Sequence, residues 1–232
     1  MSQVDIYKKY NNFLAPKNQI ILNNEDILEK YGIQTSAITV EEIIGVLPKF
    51  NFALNNPQSL QKSTELFDLK KNVLIKMGYA NTLETVVEGE IATIKSIFPS
   101  NGPPRIEVYG QAKNVTNTTP STNNKPIFTL TYGSTLFSFI STASLQEQDS
   151  KTAPITRASV AKVSTNNLHC SAECVGVPEL KAQTLVSVAG VGNPYDGNYY
   201  VKKVTHELNQ SGYATKFEAE TPQKRMLLQP KI

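Results

Sequence analysis

Apolar and polar residues alternate along much of this chain with the two-residue period of half-buried strands rather than the 3.6-residue period of helices. Lys49 to Leu54 (KFNFAL) sets Phe50 and Phe52 against Lys49 and Asn51. Val73 to Met77, Thr85 to Ile97 and Arg105 to Tyr109 are β-branched runs parted by turn clusters such as Asn101-Gly102-Pro103-Pro104, so each predicts a strand. Further along, Tyr213, Thr215, Phe217 and Ala219 share one face, while Ala214, Lys216, Glu218 and Glu220 share the other. Asn198 to Leu208 (NYYVKKVTHEL) is entered through Asp196-Gly197 and leads into that strand by the loop Asn209-Gln210-Ser211-Gly212, which predicts an antiparallel hairpin. One short helix is expected. Asn24-Glu25-Asp26 supply its cap and first-turn acids, apolar spacing runs to Tyr31, and Gly32 supplies the stop.

The pattern lapses in two places. Asn114 to Lys125 (NVTNTTPSTNNK) has a single apolar residue and cannot help bury a core. It divides the chain into a first module, residues 1–113, a polar linker, residues 114–125, and a second module, residues 126–232. Gln146 to Pro154 (QEQDSKTAP) is polar and ends in a proline that disfavours helix before it, so it predicts a surface loop.

The two modules repeat one another. From Leu69 and from Leu180 the chain reads Leu-Lys, an apolar strand, a turn, a glycine (Gly89 or Gly197) and a long β-branched strand. Leu74, Ile75 and Met77 answer Leu185, Val186 and Val188, and Ile91, Ile94 and Ile97 answer Tyr199, Val201 and Val204 with one gap. A loop ending in Asn101-Gly102 or Ser211-Gly212 leads to a last strand in which Val108 matches Phe217. The expected fold class is mainly β, a β-rich α+β chain with two related small antiparallel β-barrel modules and a few short helices. Barrel closure protects strand edges. Three copies of a two-module chain would present six similar modules around an axis and could dock on a six-fold ring.

Composition narrows the functional classes. With 40% hydrophobic residues over 232 positions the chain can bury a sizeable core. Its net charge of +3, from 23 basic and 20 acidic residues spread along the length, commits no face to phosphate or anionic lipid, so nucleic acid is not the expected partner. Met1 to Tyr10 (MSQVDIYKKY) is polar and unlike a signal peptide, and no run reaches the roughly 18 apolar residues of a spanning helix, so membrane insertion is not expected. Two cysteines, Cys170 and Cys174, cannot make a disulfide framework and fit folding in a reducing cytoplasm.

Several spaced motifs resemble one family. They are Gly176-Val177-Pro178-Glu179-Leu180, Val186-Ser187-Val188, Gly190-Val191-Gly192-Asn193-Pro194-Tyr195-Asp196-Gly197-Asn198-Tyr199-Tyr200-Val201, Val204-Thr205-His206 and Gly212-Tyr213-Ala214-Thr215-Lys216-Phe217. Together they look like the late-control D family of baseplate hub proteins. Gly89-Glu90-Ile91, Gly102-Pro103-Pro104 and Ile106-Glu107-Val108 resemble that family's first barrel, and Leu130-Thr131-Tyr132-Gly133 resembles the segment joining the barrels. The likeness runs from about Gln19 onward. It implies a trimeric hub of a contractile phage tail, tailocin or contractile injection system, similar to the N-terminal part of VgrG-type spikes. Such a hub adapts the inner tube to the spike. It would assemble in the bacterial cytoplasm with itself, a tail tube protein, a spike protein and other baseplate proteins, and then become part of the particle. The short spacer and the length of the chain predict a separate spike polypeptide.

Catalytic and ligand chemistry is thin. His169, Cys170 and Cys174 provide three soft ligands where a structural zinc site takes four, and the cysteines are expected as buried small thiols. His206 lacks a nucleophile signature to complete a triad, so a packed or interface role is expected. Glu84, Glu88 and Glu90 could be read as the carboxylates of a peptidoglycan-cleaving tail enzyme, but Glu88 and Glu90 share one strand face and the chain has no tryptophan. Gly190-Val191-Gly192 precedes no helix and serves a turn, not a phosphate. The sequons at Asn114 and Asn117 carry meaning only on a secretory route. No cofactor, metal or enzymatic activity is expected. A glycan-binding β-domain is the remaining alternative.

Overall fold

A computed structural model describes residues 5–55, 67–114, 125–146 and 165–221. The linker apart from Asn114 and Lys125, and the Gln146–Pro154 loop apart from Gln146, lie outside the described residues. In chain order the first half runs α1 (Ile6–Lys9), a 3-10 turn (Asn11–Phe13), β1 (Pro16–Leu22), β2 (Glu25–Asp26), α2 (Ile27–Tyr31), β3 (Gln34–Ile43), β4 (Lys49–Asn55), β5 (Asn72–Tyr79), β6 (Thr82–Ile97) and β7 (Arg105–Ala112). The second half runs β8 (Thr129–Thr131), β9 (Leu136–Gln146), β10 (Thr165–Val175), β11 (Leu185–Ala189), β12 (Gly197–Asn209) and β13 (Gly212–Glu220). The β-rich class expected from the alternation is the one the chain adopts.

Local chemistry places the short elements. The Asp26 carboxylate accepts the Leu28 N–H at 3.0 Å to open α2, and Gly32 closes it in the left-handed region at φ 62°. Between β12 and β13 the turn proper is two residues, Gln210 and Ser211, because Asn209 and Gly212 are already paired and the Asn209 side chain accepts the Ser211 N–H at 2.7 Å.

Setting aside the two-residue β2, the halves have one topology. The order β1-β5-β6-β7-β4-β3 in the first half and β8-β11-β12-β13-β10-β9 in the second are the same permutation, 1-4-5-6-3-2, of strands numbered within each half. One pairing differs in sense: β1 is antiparallel to β5, whereas β8 is parallel to β11. Even the irregularities coincide. The β6–β7 ladder slips between Ile91 and Thr93, and the β12–β13 ladder slips between Val201 and Lys203.

These bulges fix the equivalence. Ile91 corresponds to Val201, Ile94 to Val204, Val108 to Phe217 and Gly110 to Ala219. The alignment read from sequence, Ile91 with Tyr199 and Ile94 with Val201, is therefore displaced along this strand, and Gly89 takes the position of Tyr199. The displacement is two residues at Ile91 and three at Ile94 and Ile97: the first two are still set against inward-facing residues, whereas Ile97, which stands where Glu207 does, is set against Val204 on the other face.

Both halves belong to one sheet. β3 pairs antiparallel with β12, from Ile43 opposite Lys203 to Ala37 opposite Asn209. A single apolar core runs beneath, from Ile20, Phe52 and Ile75 to Val186, Tyr199 and Phe217. Equivalent sites in the two halves trade volume across the ladder. Phe52 faces Val108 in the first, and Ala172 faces Phe217 in the second. Phe50 likewise lies over Gly110, where an added Cβ would sit 2.2 Å from its ring, while Cys170 faces Ala219.

Candidate functional site: the seam between the halves

The seam is built on β3 and β12. On its solvent face the Lys203 ammonium meets the Glu41 carboxylate at 2.8 Å, and that hydrogen bond raises the Lys203 pKa. Both side chains are about one-third exposed, so the pair contributes modestly, about 0–1 kcal/mol. The ladder hydrogen bonds and the core beneath carry the join.

Directly under the seam lies a polar knot. His206 is buried, and its Nε2 stands 3.0 Å from the Leu180 carbonyl oxygen. A carbonyl only accepts, so Nε2 holds the proton and Nδ1 is left as an acceptor. Nδ1 is 2.9 Å from the Tyr213 hydroxyl and 3.1 Å from that of Thr215, and the Thr215 oxygen in turn accepts the Val177 N–H at 3.1 Å. Burial, above all else, lowers the His206 pKa to about 3 and raises that of Tyr213 well above its usual value. In this neutral form the imidazole acts as a fastener. It ties the segment from Val177 to Leu180 to the hairpin β12–β13.

Gly176 is part of the knot for a steric reason. Its N–H donates to the Tyr213 carbonyl at 3.0 Å, and a Cβ there would lie 2.1 Å from Cγ of the Tyr213 ring. Pro178 and Leu180 are buried beside it.

The knot continues into the first half through aromatic rings. Tyr213 packs on Tyr79 with centroids 5.8 Å apart, and Tyr79 packs on Tyr10 at 5.6 Å and on Phe13 at 5.3 Å. The Tyr10 hydroxyl donates to Glu179 at 2.6 Å, and Lys9 bridges Glu179 and Glu84. Against the cost of burial, its hydrogen bonds to Glu179 and Glu84 hold the Lys9 ammonium above its usual pKa. Residues 5–13 thus clamp one half to the other.

The residues singled out in the sequence fall into three groups. Gly176, Pro178, His206, Tyr213, Thr215 and Phe217 meet at the knot or in the core next to it. Gly190, Gly192, Asp196 and Gly197 shape the turn before β12, where the Asp196 carboxylate accepts the N–H groups of Gly192 and Val191, both at 2.9 Å. Those bonds, Gly192 first, hold its pKa below the usual range. Tyr199 and Val201 are buried just beyond, and the Tyr199 hydroxyl donates to the Tyr195 carbonyl at 2.8 Å. Gly89, Gly102, Pro104, Tyr132 and Gly133 are dispersed. Gly89 lets β7 approach, since its Cβ would meet the Gln111 carbonyl at 2.2 Å, and Gly102 and Gly133 hold positive φ in turns.

Candidate chemistry does not converge. Cys170 and Cys174 are free and buried, and burial pushes the Cys170 thiol up to about 12. His169 lies on the opposite face with Glu220 at 3.9 Å, and no cluster of three metal-ligating side chains occurs among the described residues. Glu90 pairs with Lys113 at 3.0 Å and Glu84 with Lys9.

The sequence reading missed Lys9, Tyr10, Phe13, Tyr79 and Glu179. The signal was present in the three-residue spacing of Tyr7, Tyr10 and Phe13 in an otherwise polar lead.

No family model matches the chain, and no curated protein matches it. Solved structures do. A tail protein from Neisseria meningitidis is similar over 89% of this chain and 97% of its own, with a TM-score of 0.59 and 8% identity. The 43 kDa tail protein of prophage MuSo2 from Shewanella oneidensis is similar over 88% of this chain and 97% of its own, at 0.56 and 8%. An Escherichia coli component of the type VI secretion system, described as structurally similar to the bacteriophage T4 tail proteins gp27 and gp5, is similar over 92% of this chain and 79% of its own, at 0.50 and 10%. At such identities the likeness is one of fold: this chain has the fold of phage tail proteins.

Proposed function

We propose that the chain is a structural hub subunit of a contractile phage tail or a phage-tail-like injection system. It acts as a homotrimer that adapts a six-fold inner tube to a three-fold spike, and it has no catalytic step of its own. The observation that carries this reading is the repeated strand order, 1-4-5-6-3-2 in each half, fused through β3 and β12 into one sheet. A chain that presents the same unit twice, rigidly joined, lets three copies offer six near-equivalent units to a ring of six. The shared fold with tail proteins and with the type VI component supports the same reading, as do the motifs that resemble the late-control D family.

In this role the polar outer face of the sheet, with ion pairs such as Lys203–Glu41 and Lys216–Glu207, stays wetted while the apolar face forms the core. The partners are a second and third copy, the tube protein, the spike protein and other baseplate proteins. Neither nucleic acid nor membrane insertion is part of it. The chain is assembled in the cytoplasm before it joins the particle.

Multi-angle light scattering of the purified protein, alone and with the tube and spike proteins, tests the reading. The expected mass is that of three chains of 25.6 kDa, with stable capture of both partners. A monomer that binds neither overturns it.

A further inference from the structure

The seam inside the chain is a template for a second seam that one copy cannot make. Along one edge, β12 carries two partners in succession: β11 of its own half as far as Tyr200, and then β3 of the other half from Lys203 to Asn209. Its counterpart β6 is held by β5 only as far as Glu90. From Thr93 to Ile97 it pairs with β7 on one edge, and among the described residues no strand pairs with the other. The counterpart of β3 is β9. β9 pairs with β10 along most of its length, but among the described residues its second edge carries only the isolated bridge from Leu136 to Tyr132. Among the described residues, one donor edge and one acceptor edge are therefore left over, each equivalent to an edge that is satisfied within the chain.

Exposed apolar side chains sit at those edges. Leu208, which lies opposite Ile38 of β3, is 8% exposed, whereas Phe98, its counterpart at the end of β6, is 72% exposed. On β9, Ile140 is 67% exposed. Unpaired strand edges bearing large apolar groups are costly in a soluble chain and mark contact surfaces.

We infer that β9 of one copy adds to the free edge of β6 in the next copy, antiparallel and in the register that β3 keeps on β12. This rests on the hub reading above and names the surface by which its copies meet. Val40 faces Phe50 and His206 within the chain, Ser141 faces Cys170 as Val40 faces Phe50, and Ser96 faces Ile106 as His206 faces Thr215. The register follows: Ser141 opposite Ser96, Thr142 opposite Lys95, and Ile140 opposite Ile97. The occupant is a second copy because the two leftover edges complement each other through a pairing this sequence already makes. The contact is head-to-tail, each copy giving β9 and receiving on β6, so it closes into a ring when the rotation per copy divides a full turn.

Engineered cysteines test the register. Lys95→Cys with Thr142→Cys in one chain is expected to give disulfide-linked oligomers on non-reducing denaturing gels, at least tenfold more than Lys95→Cys with Ser138→Cys, which lies four residues along the strand. Phe98→Glu, at an exposed position, is expected to reduce the assembly to monomer with an unchanged circular dichroism spectrum. An oligomer in which the matched pair fails to cross-link, or in which Phe98→Glu stays assembled, overturns this seam and leaves the hub reading standing. A wild-type monomer at every concentration overturns the seam, and one that also binds neither tube nor spike protein overturns both.

Discussion

The Tyr213 hydroxyl lies 2.9 Å from Nδ1 of His206, and through that contact the hairpin β12–β13 holds the imidazole in one tautomer beneath the seam between the halves. On its far side Nε2 engages the Leu180 carbonyl. The histidine links the hairpin β12–β13 to the segment that ends at Leu180, and its value to the fold depends on its staying uncharged.

That dependence has a pH signature. The folded pKa of about 3 lies below the ordinary histidine value of 6.5, so the group contributes its full stability above pH 6.5. The contribution is lost progressively as pH falls from 6.5 through 3. Urea denaturation at pH 7.5, 5.5 and 4.5 should give a falling midpoint, with a shallower decline in a folded His206→Gln variant. An imidazole that titrates near 6.5 in the folded state by NMR contradicts the knot.

The steric half of the knot predicts coupling. Gly176→Ala places a methyl against the Tyr213 ring and is expected to cost about 2–3 kcal/mol. Tyr213→Leu costs on its own the buried hydroxyl and ring contacts, but it vacates the space that the methyl needs. A double-mutant cycle should therefore show a favourable coupling of about 1 kcal/mol or more between the two sites. Strict additivity would mean that the ring and the glycine do not touch.

Much of this fold was legible because burial on one face of a strand writes a period of two into the sequence. KFNFAL is β4, and the alternation from Tyr213 to Ala219 is the inner face of β13. The helix α2 was legible because its cap and stop are single residues with specific backbone roles. The join of β3 to β12 was not, since about 160 residues separate the strands and backbone pairing is indifferent to side-chain identity. The sequence reading gave His206 a packed or interface role, and the side chain is buried, yet its partners at Leu180 and Tyr213 are set by tertiary placement. The duplication was visible in outline, and its register was not, because apolar residues recur too regularly along the strand to mark where the bulge between Ile91 and Thr93 falls.

The N-terminal clamp is separately testable. Tyr10→Phe removes the hydrogen bond to Glu179 but keeps the ring against Tyr79, so the expected loss is about 1–2 kcal/mol. Tyr10→Ala also forfeits the ring contacts and is expected to cost about 3–5 kcal/mol. Limited proteolysis should then cleave within residues 5–13 first in Tyr10→Ala, while Tyr10→Phe resists nearly as well as the wild type.

The traded volumes offer a test of the duplication itself. At equivalent ladder positions Phe52 faces Val108 in one half, while Ala172 faces Phe217 in the other, so the large residue has changed strands and the summed volume is roughly kept. If the halves are two solutions of one packing problem, the second should accept the solution of the first. Phe217→Val alone leaves a cavity and is expected to cost about 2–3 kcal/mol. Ala172→Phe alone overfills the site, at about 1–3 kcal/mol. Together the two substitutions recreate the Phe–Val pair of the first half, so the double variant should recover more than half of the summed loss. Thermal midpoints of the three variants decide the matter. A double variant as unstable as the sum of its parts would mean that the halves share a strand order but not an interchangeable core.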